Sequence, residues 1–313
     1  HDFGDWMVPG PNLRFTFKPN GHIPGSAFVE LHAGEKVIVF SGDVGRLKPL
    51  VMSPPQKLPA CDLLILESTY GDRLHEVESP FDQLEKLING AISRKGQILI
   101  PSFAVERSQE IIFLLITLMD QKRIPKMKIY LDSPMAAAVT EVLVGYYDFL
   151  HDPKLLDELT NLLEVVSDHH ASRAIVNMDE PKIVIAGSGM ITGGRILHHL
   201  EAHISNPDTL VILPGFQAPG TRGHSLANGT DEIKFFGKYY PVKAQIAQLH
   251  GLSAHADREE LVEWLHKAEK TPKRIVLNHG EPSAADSLRV KLEHEFNIPV
   301  MVASQEMVLV LDF

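Results

Sequence analysis

The chain has 313 residues, 44% of them hydrophobic, with 30 Lys and Arg against 40 Asp and Glu for a formal net charge of −10. This length suggests about two domains, and the charge argues against a globally basic nucleic-acid coat while leaving room for a local basic groove. The single cysteine, Cys61, excludes an internal disulfide framework or a Cys-rich zinc knuckle. The longest apolar stretch, Ile111 to Met119, falls far short of the ~20 residues that span a bilayer. The polar opening HDFGDW does not resemble a signal peptide. A soluble, cytoplasmic protein is expected, with a generous supply of 16 His.

In chain order, residues 13–17 (LRFTF), 28–32 (FVELH) and 37–40 (VIVF) read as strands, two of them with half-buried alternation. LLIL at 63–66 suits a strand covered on both faces. Ser79 and Pro80 open a helix whose Leu84, Leu87 and Ile88 share one face. From there strand, turn and helix recur. QILIP (97–101) precedes VERSQEIIFLLITLMD, and KIYLD (128–132) precedes PMAAAVTEVLVGYY. KIVIA (182–186) precedes a Gly-rich turn and GGRILHHLEAHI, and TLVILPG (209–215) follows. That alternation predicts a parallel α/β sheet. Residues 216–232 read as loop. After VKAQIAQLH the pattern gives a helix from Asp257, a strand RIVLN (274–278), a helix near 283–295 and two short terminal strands.

Four segments share one design, a Gly-containing turn beside an apolar run that presents a metal-type or acid/base side chain. They are GHIPGSA with His22, VIVFSGDVG with Asp43, LLILESTYGD with Glu67 and RIVLNHGE with His279; a fifth, LHGLSAHAD, carries His250 and His255 ahead of a helix. Strand ends in α/β proteins hold a side chain on a rigid sheet while leaving it reachable. Imidazole and carboxylate suit Zn, Mn or Fe, and one carboxylate can bridge two ions. Each residue taken singly is better explained by capping or hydrogen bonding, and four such segments together bring a site level with that reading. Asp257-Arg-Glu-Glu260 reads as a capping box. His255 then precedes a helix N-terminus, which lowers an imidazole pKa, and a carboxylate such as Glu67 would raise it again.

GSGMITGG (187–194) is a poor dinucleotide fingerprint, since Thr192 stands where the third glycine belongs. Its backbone, with Ser188, Gly189 and Arg195, could hold a backbone phosphate instead. His199 and His203 stand four apart on a helix, where an exposed face is the expected reading. No GxSxG elbow and no GxxxxGK[ST] loop occurs.

On these motifs the chain resembles the metallo-β-lactamase-fold nucleases of the β-CASP group, which includes RNase J and the 3′-end-processing endonucleases. GHIPGSA and FSGDVGR resemble the group's third and fourth metal motifs, and ESTYGDR, SAHAD and NHGE its motifs A, B and C. PSFAVERSQE and AGSGMITGGRILHHL resemble stretches of the inserted domain, so seven matches fall in order along nearly the whole chain. The resemblance implies an α/β fold, part of an αββα metallo-β-lactamase sandwich (residues 1–71 and 248–313) around a parallel α/β β-CASP insert (72–247). It implies metal held by His22, Asp43 and His279, with Asp43 shared between two ions, Zn2+ or alternatively Mn2+. His255, oriented by Glu67, would serve the leaving oxygen, and single-stranded RNA would lie between the domains near Ser188, Gly189, Arg195 and Ser253. RNA hydrolysis, endonucleolytic or 5′-to-3′ exonucleolytic, in the cytoplasm is the implied function, with no membrane partner and a homodimer as one assembly state.

The group's HxHxDH motif is absent, and no HxH occurs in the sequence. That motif is expected upstream of residue 1, and these residues alone are expected to bind metal weakly and to turn nothing over. Two other readings stand beside the nuclease, a non-catalytic RNA-binding scaffold and a metallo-β-lactamase-fold hydrolase of small esters or thioesters.

Overall fold

The computed structural model describes residues 1–49, 52–75, 78–145, 161–166 and 168–310. The chain divides into two compact units, His1–His75 with Ser253–Phe313, and Glu76–Leu252.

The first unit is built on a seven-stranded sheet. Strands Met7–Gly10, Leu13–Pro19, Ala27–Ala33 and Lys36–Phe40 run antiparallel, as their alternating pattern requires. The apolar strand Leu63–Glu67 then pairs in parallel with Lys36–Phe40 on one side and with Arg274–Asn278 on the other. Val300–Val302 closes the edge. Register decides what this sheet presents. Phe40 lies opposite Ile65 and Glu67 opposite Asn278, so Glu67 ends its strand, and Asp43 and His279 follow theirs, at one edge of the sheet.

Helix Arg258–His266 buries Leu261, Trp264 and Leu265 in the same core as Leu288 and Leu292 of helix Pro282–Phe296, against Phe28, Leu64, Leu66, Ile275 and Leu277. The spacing of three and four residues places each apolar set on one helix face. Trp264 is 1% exposed and still finds a partner for its indole N–H, the Gln56 carbonyl at 2.8 Å. The capping box forms as read: Asp257 Oδ1 accepts the Glu260 N–H (2.9 Å) and Glu260 Oε2 accepts the Asp257 N–H (3.1 Å).

In the second unit six strands form an all-parallel sheet, in the order Gln245–Leu249, Leu210–Pro214, Ile98–Pro101, Ile183–Ala186, Ile129–Asp132, Leu163–Val165. The four inner strands are buried along their whole length, which is why they read as unbroken apolar runs. Pro101, Ala186 and Asp132 lie side by side at the carboxyl edge. The parallel α/β reading thus holds.

Local expectations fail in three places. The 216–232 segment contains a helix, Arg222–Ala227, because Thr221 Oγ1 caps it through the His224 N–H (3.2 Å) and Leu226 is 1% exposed. An antiparallel ribbon, Glu232–Phe235 with Lys238–Pro241, follows it. Only one of the two terminal strands, Val300–Val302, forms among the described residues. The tail of PMAAAVTEVLVGYY beyond Gly145 lies outside the described residues.

Candidate active site

Five of the residues singled out from sequence meet in the first unit. The Asp43 carboxylate faces two imidazoles with different oxygens, Oδ2 at 3.7 Å from His22 Nε2 and Oδ1 at 3.1 Å from His279 Nδ1. His22 is mostly covered, whereas Asp43 is 36% and His279 59% exposed at the side chain. His22 loses basicity to burial first and to the neighbouring His255 next, against the opposing pull of Asp43 and Glu67. A neutral imidazole is the form that binds metal.

His255 stacks obliquely on His22, ring centroids 4.3 Å apart. Its Nδ1 lies 3.2 Å from Glu67 Oε1. Glu67 is 1% exposed, and each of its oxygens also accepts a backbone N–H, from Val44 (2.6 Å) and from Thr69 (3.2 Å). Burial would raise that carboxyl's pKa, but the His255 imidazole and these N–H donors outweigh it and hold it below the usual carboxylate range. Ser253 serves the loop itself, its Oγ accepting the His255 N–H at 3.2 Å.

Further contacts bind these loops together, several of them through residues that sequence reasoning passed over, Asn20, Thr69 and His75 among them. The Asn20 carbonyl accepts the Gly45 N–H (2.7 Å), the Val44 carbonyl accepts the Ala256 N–H (2.8 Å), and Gly45 forms an isolated bridge with His255. Only glycine fits there, because a Cβ at position 45 would fall 2.1 Å from the Gly21 carbonyl. Thr69 Oγ1 donates to the His279 carbonyl at 3.1 Å. His75 Nε2 donates to the His255 carbonyl (3.0 Å), its N–H goes to Asp257 Oδ2 (2.8 Å), and Glu260 Oε1 accepts the Leu47 N–H (3.1 Å). Glu260 therefore caps its helix and ties down the Asp43 loop with the same carboxylate.

Residues 108–226 match the family model of the Beta-Casp domain, and residues 239–303 that of the Zn-dependent metallo-hydrolase RNA specificity domain. An RNase J-like protein of Methanocaldococcus jannaschii is 31% identical over 297 residues, covering 93% of this chain and 69% of that protein. The chain belongs to the β-CASP family of metallo-β-lactamase-fold ribonucleases. A ribonuclease of Thermus thermophilus is 37% identical over 90% of this chain and 65% of its own length. The transcription termination factor FttA of Pyrococcus horikoshii is 31% identical over 95% of this chain and 48% of its own. The chain thus spans between about half and two thirds of these three relatives. A protein of unknown function from Enterococcus faecalis V583, known from its crystal structure, shares the fold, with a TM-score of 0.56, 12% identity and coverage of 97% of this chain and 65% of that one.

The cluster fits the divalent ion that this β-CASP membership implies. One ligand atom from each of His22, Asp43 and His255 lies within 4.8 Å of the others, His279 Nδ1 meets the other Asp43 oxygen at 3.1 Å, and nitrogen with carboxylate oxygen is a donor set suited to a divalent ion. The divergent oxygens of Asp43 suit a shared carboxylate.

The remaining β-CASP candidates lie in the second unit. Ser188 Oγ accepts the N–H groups of Thr192 (3.0 Å) and Gly193 (3.3 Å), so part of the expected anion cradle is spent inside its own turn. Arg195 is turned inward, donating to Asp132 Oδ1 (2.8 Å) and to the Val166 carbonyl (2.9 Å). His199 corrects the exposed-face reading: it is wholly buried, its Nε2 2.8 Å from Asp132 Oδ2, which also accepts from Ser172 Oγ at 2.7 Å. His203 Nε2 donates to the Val176 carbonyl at 2.9 Å. His250 also belongs to this unit, its N–H on Gln83 Oε1 at 3.2 Å.

Proposed function

We propose that these residues form the hydrolytic centre of an RNA-cleaving enzyme, with His22, Asp43 and His279 holding the metal, Zn2+ or Mn2+. The observation that carries this reading is the Asp43 carboxylate, whose two oxygens face different imidazoles while the His255–Glu67 pair stands alongside. A bound divalent ion supplies Lewis-acid charge to a phosphoryl oxygen and acidifies water near neutral pH. The rest falls to the chain. Glu67, buried and ionised, accepts the Nδ1 proton of His255 and so fixes the tautomer and the ring's aim. The other ring nitrogen, Nε2, then exchanges a proton with the leaving oxygen. His22 backs this ring, and the N–H groups of Val44 and Thr69 keep Glu67 from swinging away.

Ribonuclease and RNase J-like relatives support RNA as substrate, and single-stranded RNA is the form this reading favours. The three donors His22, Asp43 and His279 are too few for two ions, so these 313 residues by themselves bind metal weakly. Among the described residues no helix is long and apolar enough to cross a membrane. A lone, buried Cys61, its thiol pushed up to about 12 by burial, suits the reducing cytoplasm.

The test is cleavage of a labelled single-stranded RNA by the native protein carrying these residues, with Zn2+ or Mn2+ added. Asp43→Asn and His255→Ala should each remove cleavage with the melting temperature kept. Undiminished cleavage in both variants overturns the assignment, and RNA binding without cleavage in the unaltered protein favours a scaffold instead.

A further inference from the structure

The Asp43 cluster stands where strands of the first unit's sheet finish. Where the same strands begin, a cavity of about 280 Å³ is lined by Lys36, Asp62, Lys273, Arg274 and Pro299, with Val310 on its flank. Parallel register brings these residues together. Leu63 lies opposite both Ile38 and Arg274, and Ile275 opposite Val300, so the opening residues of four strands share one edge. From Arg274 to Asn278 the strand climbs four residues, roughly 13 Å at ~3.3 Å each. An ion held at this edge is therefore out of reach of Asp43 and His279.

The cavity gathers three cations around one carboxylate. Asp62 is already committed: its Oδ2 accepts the Val37 N–H (2.9 Å), its Oδ1 accepts from Lys273 Nζ (2.6 Å), and its own N–H goes to the Val37 carbonyl (2.7 Å). Fixed in this way it orients Lys273. The side chains of Lys36 and Arg274 have no ion-pair or hydrogen-bond partner among the described residues. Carboxylates are not scarce in a chain whose 40 Asp and Glu outnumber its 30 Lys and Arg, and yet only one lines this cavity. Like charges facing one another across adjacent strands destabilise a sheet, and a concave spot lined by one sign of charge concentrates the opposite ion. An anion seated here offsets the repulsion.

We propose that this cavity is an oxyanion site that takes a phosphate group, held by the Arg274 guanidinium and the Lys36 ammonium, with Lys273, oriented by Asp62, as the third cation. A guanidinium offers a planar fork of N–H donors that matches two phosphate oxygens, and an ammonium adds a point charge with rotatable donors. The volume falls just below the usual range of small-molecule clefts, which suits one phosphate group and its hydration. Pro299 and Val310 leave one flank apolar for the organic part of a phosphate ester. A free phosphate ester and a phosphodiester of an RNA strand share this chemistry. The assignment is independent of the RNA-cleaving reading, since it uses no residue of the Asp43 cluster.

Calorimetric titration of the protein with inorganic phosphate, in EDTA and at an ionic strength held constant with sodium chloride, tests the site. Saturable binding of one phosphate is expected. The double variant Lys36→Gln with Arg274→Gln should weaken it roughly tenfold or more at an unchanged melting temperature, and Lys36→Arg alone should keep it. Octa-riboadenylate separates the two sources. If it displaces phosphate from the unaltered protein and binds the double variant more weakly, an RNA phosphodiester is the occupant; if it leaves the phosphate isotherm unmoved, the occupant is a free phosphate or its ester. Absence of saturable binding, or an isotherm that the double variant leaves unchanged, overturns the site, and either result leaves the ribonuclease reading intact.

Discussion

Each unit pairs histidine with carboxylate at the carboxyl edge of a sheet, and the two constellations are finished differently. In the second unit Asp132 and His199 are completely covered, and Asp132 is saturated by His199, Ser172 and Arg195. In the first, Asp43 and His279 stay partly in solvent, Asp43 meeting one imidazole with each oxygen, at 3.7 and 3.1 Å, and neither residue is enclosed. A saturated, buried carboxylate has nothing left to offer a ligand, and removing it strands its partners. An open carboxylate adds little to stability and keeps its lone pairs for chemistry. The same residue types thus serve architecture in one unit and are proposed to serve catalysis in the other, and solvent access and hydrogen-bond saturation separate the two roles.

The sharpest way to break this contrast is Asp43→Asn. RNA cleavage should fall at least ~10³-fold while the melting temperature moves little; a cooperative loss of structure would mean the open cluster is architectural after all. Asp132→Ala should do the reverse, costing about 3–5 kcal/mol in denaturant unfolding because Arg195 and His199 lose their common acceptor. Between these lies Glu67, buried like Asp132 but joined to the site. Glu67→Gln should lower kcat by ~10²–10⁴-fold with a modest stability cost.

Acid should also separate the units. Burial opposes ionisation of Asp132, but His199, Ser172 and Arg195 outweigh it and hold the carboxyl below its ordinary value. A lowered folded-state value means that the stabilisation is fully present above roughly pH 4, the unfolded-state range, and is lost as pH falls through the folded-state value. The stability gap between the unaltered protein and Asp132→Asn, measured by urea unfolding, should narrow below that range; a gap that widens would reverse the sign of the argument. The smallest effect is metal linkage. Zn2+ at ten times its dissociation constant should stabilise the chain by about 1.4 kcal/mol, EDTA should reverse the gain, and Asp43→Asn should show none.

The first unit's cluster of side chains was legible in sequence because Asp43, Glu67 and His279 each stand within a few residues of an apolar run. Locating the strands locates the side chains, and only the pairing of strand ends was needed to bring them together. The supports were invisible for the opposite reason. His75 and Glu260 act through contacts with His255 and Leu47, far away in sequence, and Glu260 already had a sufficient local explanation as a capping residue. His199 was misread because the i, i+4 pattern says which face it shares with His203 but not what covers that face; the cover is Asp132, 67 positions earlier. The Arg222–Ala227 helix was hidden by composition, since one cap and one buried leucine outweighed a run of loop-forming residues.

The pairing of Leu63–Glu67 with Arg274–Asn278 has a consequence for how the protein is made. The first strand leaves the ribosome with its partner still unsynthesised, and the whole 76–252 unit intervenes. At ~5–20 residues per second that is a wait of roughly ten to forty seconds, during which an apolar strand edge stands unpaired and open to intermolecular pairing. The inserted unit, contiguous in sequence, can fold during that interval. Its host sheet cannot close until Arg274–Asn278 has been made, so the order of synthesis lets the insert fold before the unit that carries it.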